Sequence, residues 1–184
     1  MLALVAGGAA SGKSAYAERL AVQLGGRKCY LATMEPYGEE AQQRIQKHRL
    51  ARREKGFDTV EVYTGLAKRA DGISYDTVLL ECMTNLLANE MYSPDGAGQQ
   101  AALAALQEGV LALQKAAPQV VIVSGDLFCE GTDYGPLTGR YLQYLGQINC
   151  WLAQRADLVV ELVCGIPVVH RQNEKGRALL EKMG

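Results

Sequence analysis

Gly7-Gly8-Ala9-Ala10-Ser11-Gly12-Lys13-Ser14 stands between an apolar run, Leu2–Ala6, and a segment, Ser14–Leu24, whose apolar residues recur at helical spacing. The octet fits G-x-x-x-x-G-K-[ST] in full, and a strand before it with a helix after it is the context the pattern requires. Glycines let the backbone curl until successive N–H groups point inward. The following helix adds the positive end of its dipole, and the two together grip phosphate oxygens. Lys13 is placed to reach the β- and γ-phosphates of a nucleotide, and the Ser14 hydroxyl to hold Mg²⁺.

Outward from this loop, short apolar runs alternate with longer helical patterns, which predicts an α/β fold. The arrangement expected is three-layer α/β/α with a mainly parallel sheet. Strands are predicted at Leu2–Ala6, Lys28–Thr33, Thr59–Tyr63, Thr77–Glu81, Val120–Ser124 and Leu158–Val163, with a shorter one at Pro167–Arg171. Gly165-Ile166-Pro167 predicts a tight hairpin between the last two, with the final strand antiparallel at an edge. Helices fit Ser14–Leu24, Glu39–Lys55, Met83–Met91, Gln99–Ala116, Leu137–Ala156 and Lys175–Met183. The chain has no internal repeat or low-complexity tract, so 1–184 reads as a single domain.

The 184 residues carry 19 Lys+Arg against 20 Asp+Glu, so there is no basic excess to neutralise a nucleic-acid backbone. Five cysteines, none in a CxxC pair, argue for reduced thiols, mostly small core residues, and a cytoplasmic setting. The opening run Met1–Ala6 is too short for a secretory leader or a membrane span.

A phosphate loop also needs a carboxylate near its metal, commonly at the end of another core strand. Glu81, closing the run Asp76–Glu81, is the first choice, and Asp126 after Val120–Ser124 is the second. Of two histidines, His170 falls in the expected edge strand and reads as structural. His48 lies four residues after Arg44 and four before Arg52, one face of a polar helix. Flanking guanidinium groups offset the charge of a phosphate under attack, and they lower a histidine pKa, favouring the neutral nucleophile. Helix-dipole complementarity explains the same charge order without any catalysis. From the residues alone, both readings of His48 stay open.

With these segments together, the chain resembles the bifunctional adenosylcobinamide kinase/adenosylcobinamide-phosphate guanylyltransferase family. The resemblance rests on the Gly7–Ser14 loop, Tyr30-Leu31-Ala32-Thr33, and Arg44-Ile45-Gln46-Lys47-His48-Arg49, which is similar to the family's R-I-x-x-H-[RK] signature. Leu79–Thr84, Gly146–Asn149, Ala156-Asp157 and Gly165-Ile166-Pro167 extend it toward the C-terminus. It implies that His48 becomes covalently guanylylated. Nucleotide contacts are implied at Gly7, Gly8, Ala9, Ala10, Ser11, Gly12, Lys13 and Ser14, at Thr33, Met34 and Glu35, at Arg49, Leu50, Ala51 and Arg52, and at Glu61 and Glu81. ATP and GTP are the implied substrates with Mg²⁺, adenosylcobinamide and its phosphate the acceptors, and a homotrimer the assembly. The chain departs from the family pattern at Ala10, often Arg, at Gly125-Asp126, commonly Asn-Glu, across Phe128–Pro136, and at Arg171, more usually Lys.

Two other functions are compatible with a phosphate loop: a small-molecule kinase without a covalent step, and a nucleotide-gated switch. The chain has no N-K-x-D guanine-specificity element, which weighs against the switch.

Overall fold

In the computed structural model, residues 1–36, 52–126 and 135–183 are described. Among the described residues, seven strands form one sheet: β1 (Leu2–Gly7), β2 (Lys28–Ala32), β3 (Phe57–Glu61), β4 (Thr77–Glu81), β5 (Gln119–Val123), β6 (Leu158–Val163) and β7 (Ile166–Gln172). Their spatial order is β3-β2-β4-β5-β1-β6-β7. All pairings are parallel except β6 with β7. The helices among the described residues are α1 (Lys13–Leu24), α2 (Leu66–Ala70), α3 (Met83–Tyr92), α4 (Ala102–Ala116), α5 (Pro136–Arg155) and α6 (Glu174–Glu181). The expected α/β/α architecture with an antiparallel edge strand is what the chain adopts.

Side chains alternate across a strand, so each central strand supplies both layers of the core. Leu2, Leu4, Leu31, Leu80 and Ile122 face α2–α5, while Ala3, Val5, Tyr30, Leu79 and Val121 face α1 and α6. On the second face α1 lies over β1, β5 and β4. That placement leaves β2 and β3 free to floor a cleft.

Several details differ from the sequence-based expectation. The third strand begins two residues earlier than predicted, because Gly56 at φ 78° turns the chain and Phe57 is buried at its start. Helix α2, missed in the sequence, spans five residues after the left-handed Gly65. The β6–β7 hairpin turns at Cys164-Gly165, not at Gly165-Ile166-Pro167. Both turn residues have positive φ (49° and 84°), the twist that a two-residue hairpin needs. Of the cysteines described, only Cys29 is fully buried, and burial pushes its thiol up to about 12; Cys82 is half-buried and Cys150 and Cys164 are exposed. Among the described cysteines the core reading therefore holds for Cys29 and in part for Cys82, which packs against the core, and fails for Cys150 and Cys164. His170 bonds Glu161 across the hairpin at 2.7 Å. Among the described residues, no helix is long and apolar enough to cross a membrane.

Candidate functional site

The phosphate loop is shaped by backbone that only glycine tolerates at its start. Gly7 has φ 148°, and a Cβ there would fall 2.7 Å from both the Leu162 carbonyl oxygen and Ser11 Oγ. Gly12, at φ 89°, turns the chain into α1. No side chain caps that helix and its first turn holds no acidic residue, so its positive end faces the loop uncompensated. The amide of Ser11 donates to the Gly8 carbonyl at 3.3 Å, and the Lys13 ammonium donates to the same oxygen at 2.8 Å. From below, the hairpin supports the loop: the Gly165 amide donates to the Ser11 carbonyl at 3.1 Å. Ser11 Oγ is buried with no hydrogen-bond partner among the described residues.

Beside the loop, a cleft of about 480 Å³ is lined by Ser14, Glu18, Tyr30, Arg52, Glu61 and Glu81, among others. Strand register explains why these residues meet. Ala32 of β2 lies opposite both Glu61 of β3 and Glu81 of β4. Residues in register on adjacent strands share a face, as do residues two apart on one strand. Tyr30, Ala32, Thr59, Glu61 and Glu81 therefore form one floor, on the side where α1 contributes Ser14 and Glu18 as a wall. Lys55 pairs with Glu18 at the rim.

Two polar atoms inside the cleft stand out. Arg52 Nε and Glu81 Oε2 are both buried with no hydrogen-bond partner among the described residues. The Arg52 guanidinium lies 3.5 Å from the centroid of the Tyr30 ring, a close cation–π contact. A buried donor and a buried acceptor, each unsatisfied, are costly unless a ligand completes them. Ser14 and Glu81 supply hard oxygen donors in the same cleft, which suits a Mg²⁺ shared with substrate phosphates.

The sequence-derived candidates divide into groups. Lys13, Ser14, Met34, Arg52, Glu61 and Glu81 surround the loop and the cleft. Asp126 does not line the cleft; it follows β5, and its amide donates to the Gly7 carbonyl at the start of the loop at 3.2 Å. Thr33 is fully buried and ties two strand ends: its hydroxyl donates to the Cys82 carbonyl at 2.8 Å and accepts from the Cys82 amide at 2.6 Å. Glu35 accepts from the Ser93 hydroxyl at 2.9 Å. His48, Arg49, Leu50 and Ala51 lie outside the described residues, as does most of the predicted helix Glu39–Lys55; residues 52–54 are helical and lead into β3. Sequence reasoning missed Tyr30, Thr59, Cys82 and Asn85 as cleft residues. For Tyr30 and Thr59 the signal was their two-residue alternation with Ala32 and Glu61, usable only once the strand order is known.

Comparisons with known proteins bear on the family. The family model for cobinamide kinase / cobinamide phosphate guanyltransferase matches residues 3–170. The bifunctional adenosylcobalamin biosynthesis protein CobP of Pseudomonas aeruginosa is 32% identical over 167 residues, covering 90% of this chain and 94% of that protein. CobU of Escherichia coli, of the same description, is 32% identical over 180 residues, covering 91% of this chain and 98% of that protein. Among solved structures, a KaiC-like protein from Pyrococcus horikoshii superposes with a TM-score of 0.50 at 10% identity, over 94% of this chain and 79% of that one, a likeness of fold alone. With a phosphate loop, a strand-end carboxylate and an unsatisfied arginine converging on one cleft, and with the family model spanning almost its whole length, the chain belongs to the cobinamide kinase / cobinamide phosphate guanyltransferase family.

Proposed function

We propose that this chain phosphorylates adenosylcobinamide with ATP or GTP and then guanylylates the product through a covalent histidine, His48, in adenosylcobalamin biosynthesis. In the first reaction the acceptor hydroxyl oxygen attacks the γ-phosphorus; a new P–O bond forms, the nucleoside diphosphate leaves with the bond electrons, and the hydroxyl proton is released. In the second, an imidazole nitrogen of His48 attacks the α-phosphorus of GTP, forming a P–N bond as pyrophosphate departs. A phosphate oxygen of the phosphorylated acceptor then attacks that phosphorus, the P–N bond breaks, and adenosylcobinamide-GDP leaves with a free imidazole. Splitting one difficult displacement into two easier ones is the advantage of the covalent relay.

Residues of this chain divide the work. The loop Gly7–Ser14 orients the triphosphate, and Lys13 offsets charge on the β- and γ-phosphates. Ser14 and Glu81 would hold Mg²⁺, which when bound neutralises phosphate charge. Met34, Glu35, Arg49, Leu50, Ala51, Arg52 and Glu61 complete the nucleotide contacts. The observation that carries the reading is Arg52, whose Nε is buried in the cleft beside Ser14 and Glu81. His48 precedes Arg52 by four residues in the sequence; in the helix expected over Glu39–Lys55 that spacing would be one turn, about 6 Å, on one face. A trimeric, cytoplasmic enzyme acting as a single domain, with no nucleic-acid partner, completes the proposal.

The test is turnover of adenosylcobinamide with GTP in wild type and His48→Ala. The proposal expects wild type to form adenosylcobinamide-GDP, while the variant halts at adenosylcobinamide phosphate. A variant that still forms the GDP product overturns the histidine relay. Adenosylcobinamide phosphate as the sole product of wild type leaves a simple kinase.

A further inference from the structure

Tyr30 lies at the centre of the cleft floor but belongs to none of the roles above. It is 4% exposed, and its ring meets Phe57 edge-on at a centroid distance of 6.3 Å, which fixes the ring plane. One face of the ring carries the Arg52 guanidinium at 3.5 Å. Tyr30 and Glu81 share one face of the sheet, since Tyr30 pairs with Leu79 and, two residues on, Ala32 pairs with Glu81, and a side-chain hydrogen bond joins the Tyr30 hydroxyl to Glu81. Burial foremost, then the Glu81 charge and a side-chain hydrogen bond to Glu81, push the Tyr30 hydroxyl well above the ordinary tyrosine range; the Arg52 charge opposes them.

Tyr30 thus touches both groups that carry the unsatisfied atoms, Arg52 Nε and Glu81 Oε2. An arginine and a glutamate in one cleft would ordinarily close on each other as an ion pair and satisfy both. Here the arginine rests on the ring and the carboxylate meets the hydroxyl, so neither unsatisfied atom is consumed by the other.

We propose that Tyr30 is a positioning residue that holds Arg52 by its ring and Glu81 by its hydroxyl, keeping Nε and Oε2 apart and available to the bound nucleotide. The inference rests on the cleft being the nucleotide site. It does not require covalent transfer to a histidine.

A double-mutant cycle tests it through GTP affinity, measured by titration calorimetry with Mg²⁺ on the full chain. Tyr30→Phe keeps the ring, its edge contact with Phe57 and its stack with Arg52, and removes only the hydroxyl. The expected loss of affinity is about tenfold in the wild-type background, the scale of one hydrogen bond to a charged group. In a Glu81→Gln background the same change is expected to cost less than about twofold, since the two side chains act as one unit. Equal losses in both backgrounds, the result of a merely structural tyrosine, overturn the proposal; so does unchanged affinity in Tyr30→Phe. Tyr30→Leu, which removes the stack as well, is expected to lose affinity further in the wild-type background but no further when Arg52→Met is present; additive losses there overturn the ring's role. A wild type that binds GTP without forming a GMP adduct removes the histidine relay and leaves the cycle interpretable.

Discussion

The two halves of the site are built from different materials. The phosphate loop is made of backbone: Gly7 at φ 148°, Gly12 at φ 89° and the uncapped start of α1 define it, and its contacts are contiguous in sequence. The adjoining cleft is made of side chains from β2, β3, β4 and the segment entering β3, with Tyr30, Arg52, Glu61 and Glu81 spread along the chain. A backbone site tolerates no change where a Cβ would intrude, but is indifferent to most side chains. A side-chain site degrades by degrees, and its losses couple. The contrast is a claim about which substitutions destroy function outright and which merely tune it.

The sharpest way to break it is at the loop. In Gly7→Val a branched side chain must enter space where even a Cβ would sit 2.7 Å from the Leu162 carbonyl, so GTP binding is expected to vanish in calorimetry. Binding within a few-fold of wild type would show that loop shape is not the determinant. Lys13→Ala leaves that shape intact and removes one charge. Both half-reactions should slow by about 10³-fold in kcat, the upper range for losing one preorganised donor. A loss confined to one half-reaction would mean that the two nucleotides do not share the loop.

A third substitution separates site from scaffold. Glu90 is buried, and its two carboxylate oxygens accept from the Gly65 amide at 2.8 Å and the Ala97 amide at 3.0 Å. Glu90→Ala leaves both amides without that partner and should cost about 3 kcal/mol in urea unfolding, with GTP affinity of the remaining folded protein unchanged. A change in affinity without loss of stability would place Glu90 in the site.

The smallest effect concerns pH. Burial pushes the Asp157 carboxyl up, but the Leu2 amide at 2.7 Å, the Asn173 amide nitrogen at 2.5 Å and nearby positive charges outweigh it and hold the carboxyl below its ordinary value. A depressed folded-state pKa stabilises the fold above the unfolded value, near 4 for a free aspartate, and the gain is lost as pH falls through the folded value. Wild type should therefore lose its advantage over Asp157→Asn progressively below about pH 4 in thermal melts. A difference that stays constant with pH would remove the charge from the explanation.

Much of this molecule was legible in its residues. The loop octet and its flanking strand and helix could be read directly because a backbone site is local. Glu81 was legible as a strand-end carboxylate for the same reason. The cleft was not, because it depends on β2 lying between β3 and β4, an order no local pattern encodes. Tyr30 reads as an apolar strand residue until Glu81 and Arg52 are brought beside it. Helix α2 escaped notice because five residues are too few to display a period. The hairpin turn was displaced onto Cys164 because a cysteine at positive φ carries no compositional warning.

The central claim is that this chain carries GMP on His48. Incubation with GTP and Mg²⁺ without acceptor, followed by proteolysis and peptide mass mapping under alkaline conditions, measures it directly. The account predicts a GMP moiety on the peptide containing His48, discharged when adenosylcobinamide phosphate is added and absent from His48→Ala. An adduct on another residue, or an unmodified His48 peptide from protein that binds GTP, would contradict it.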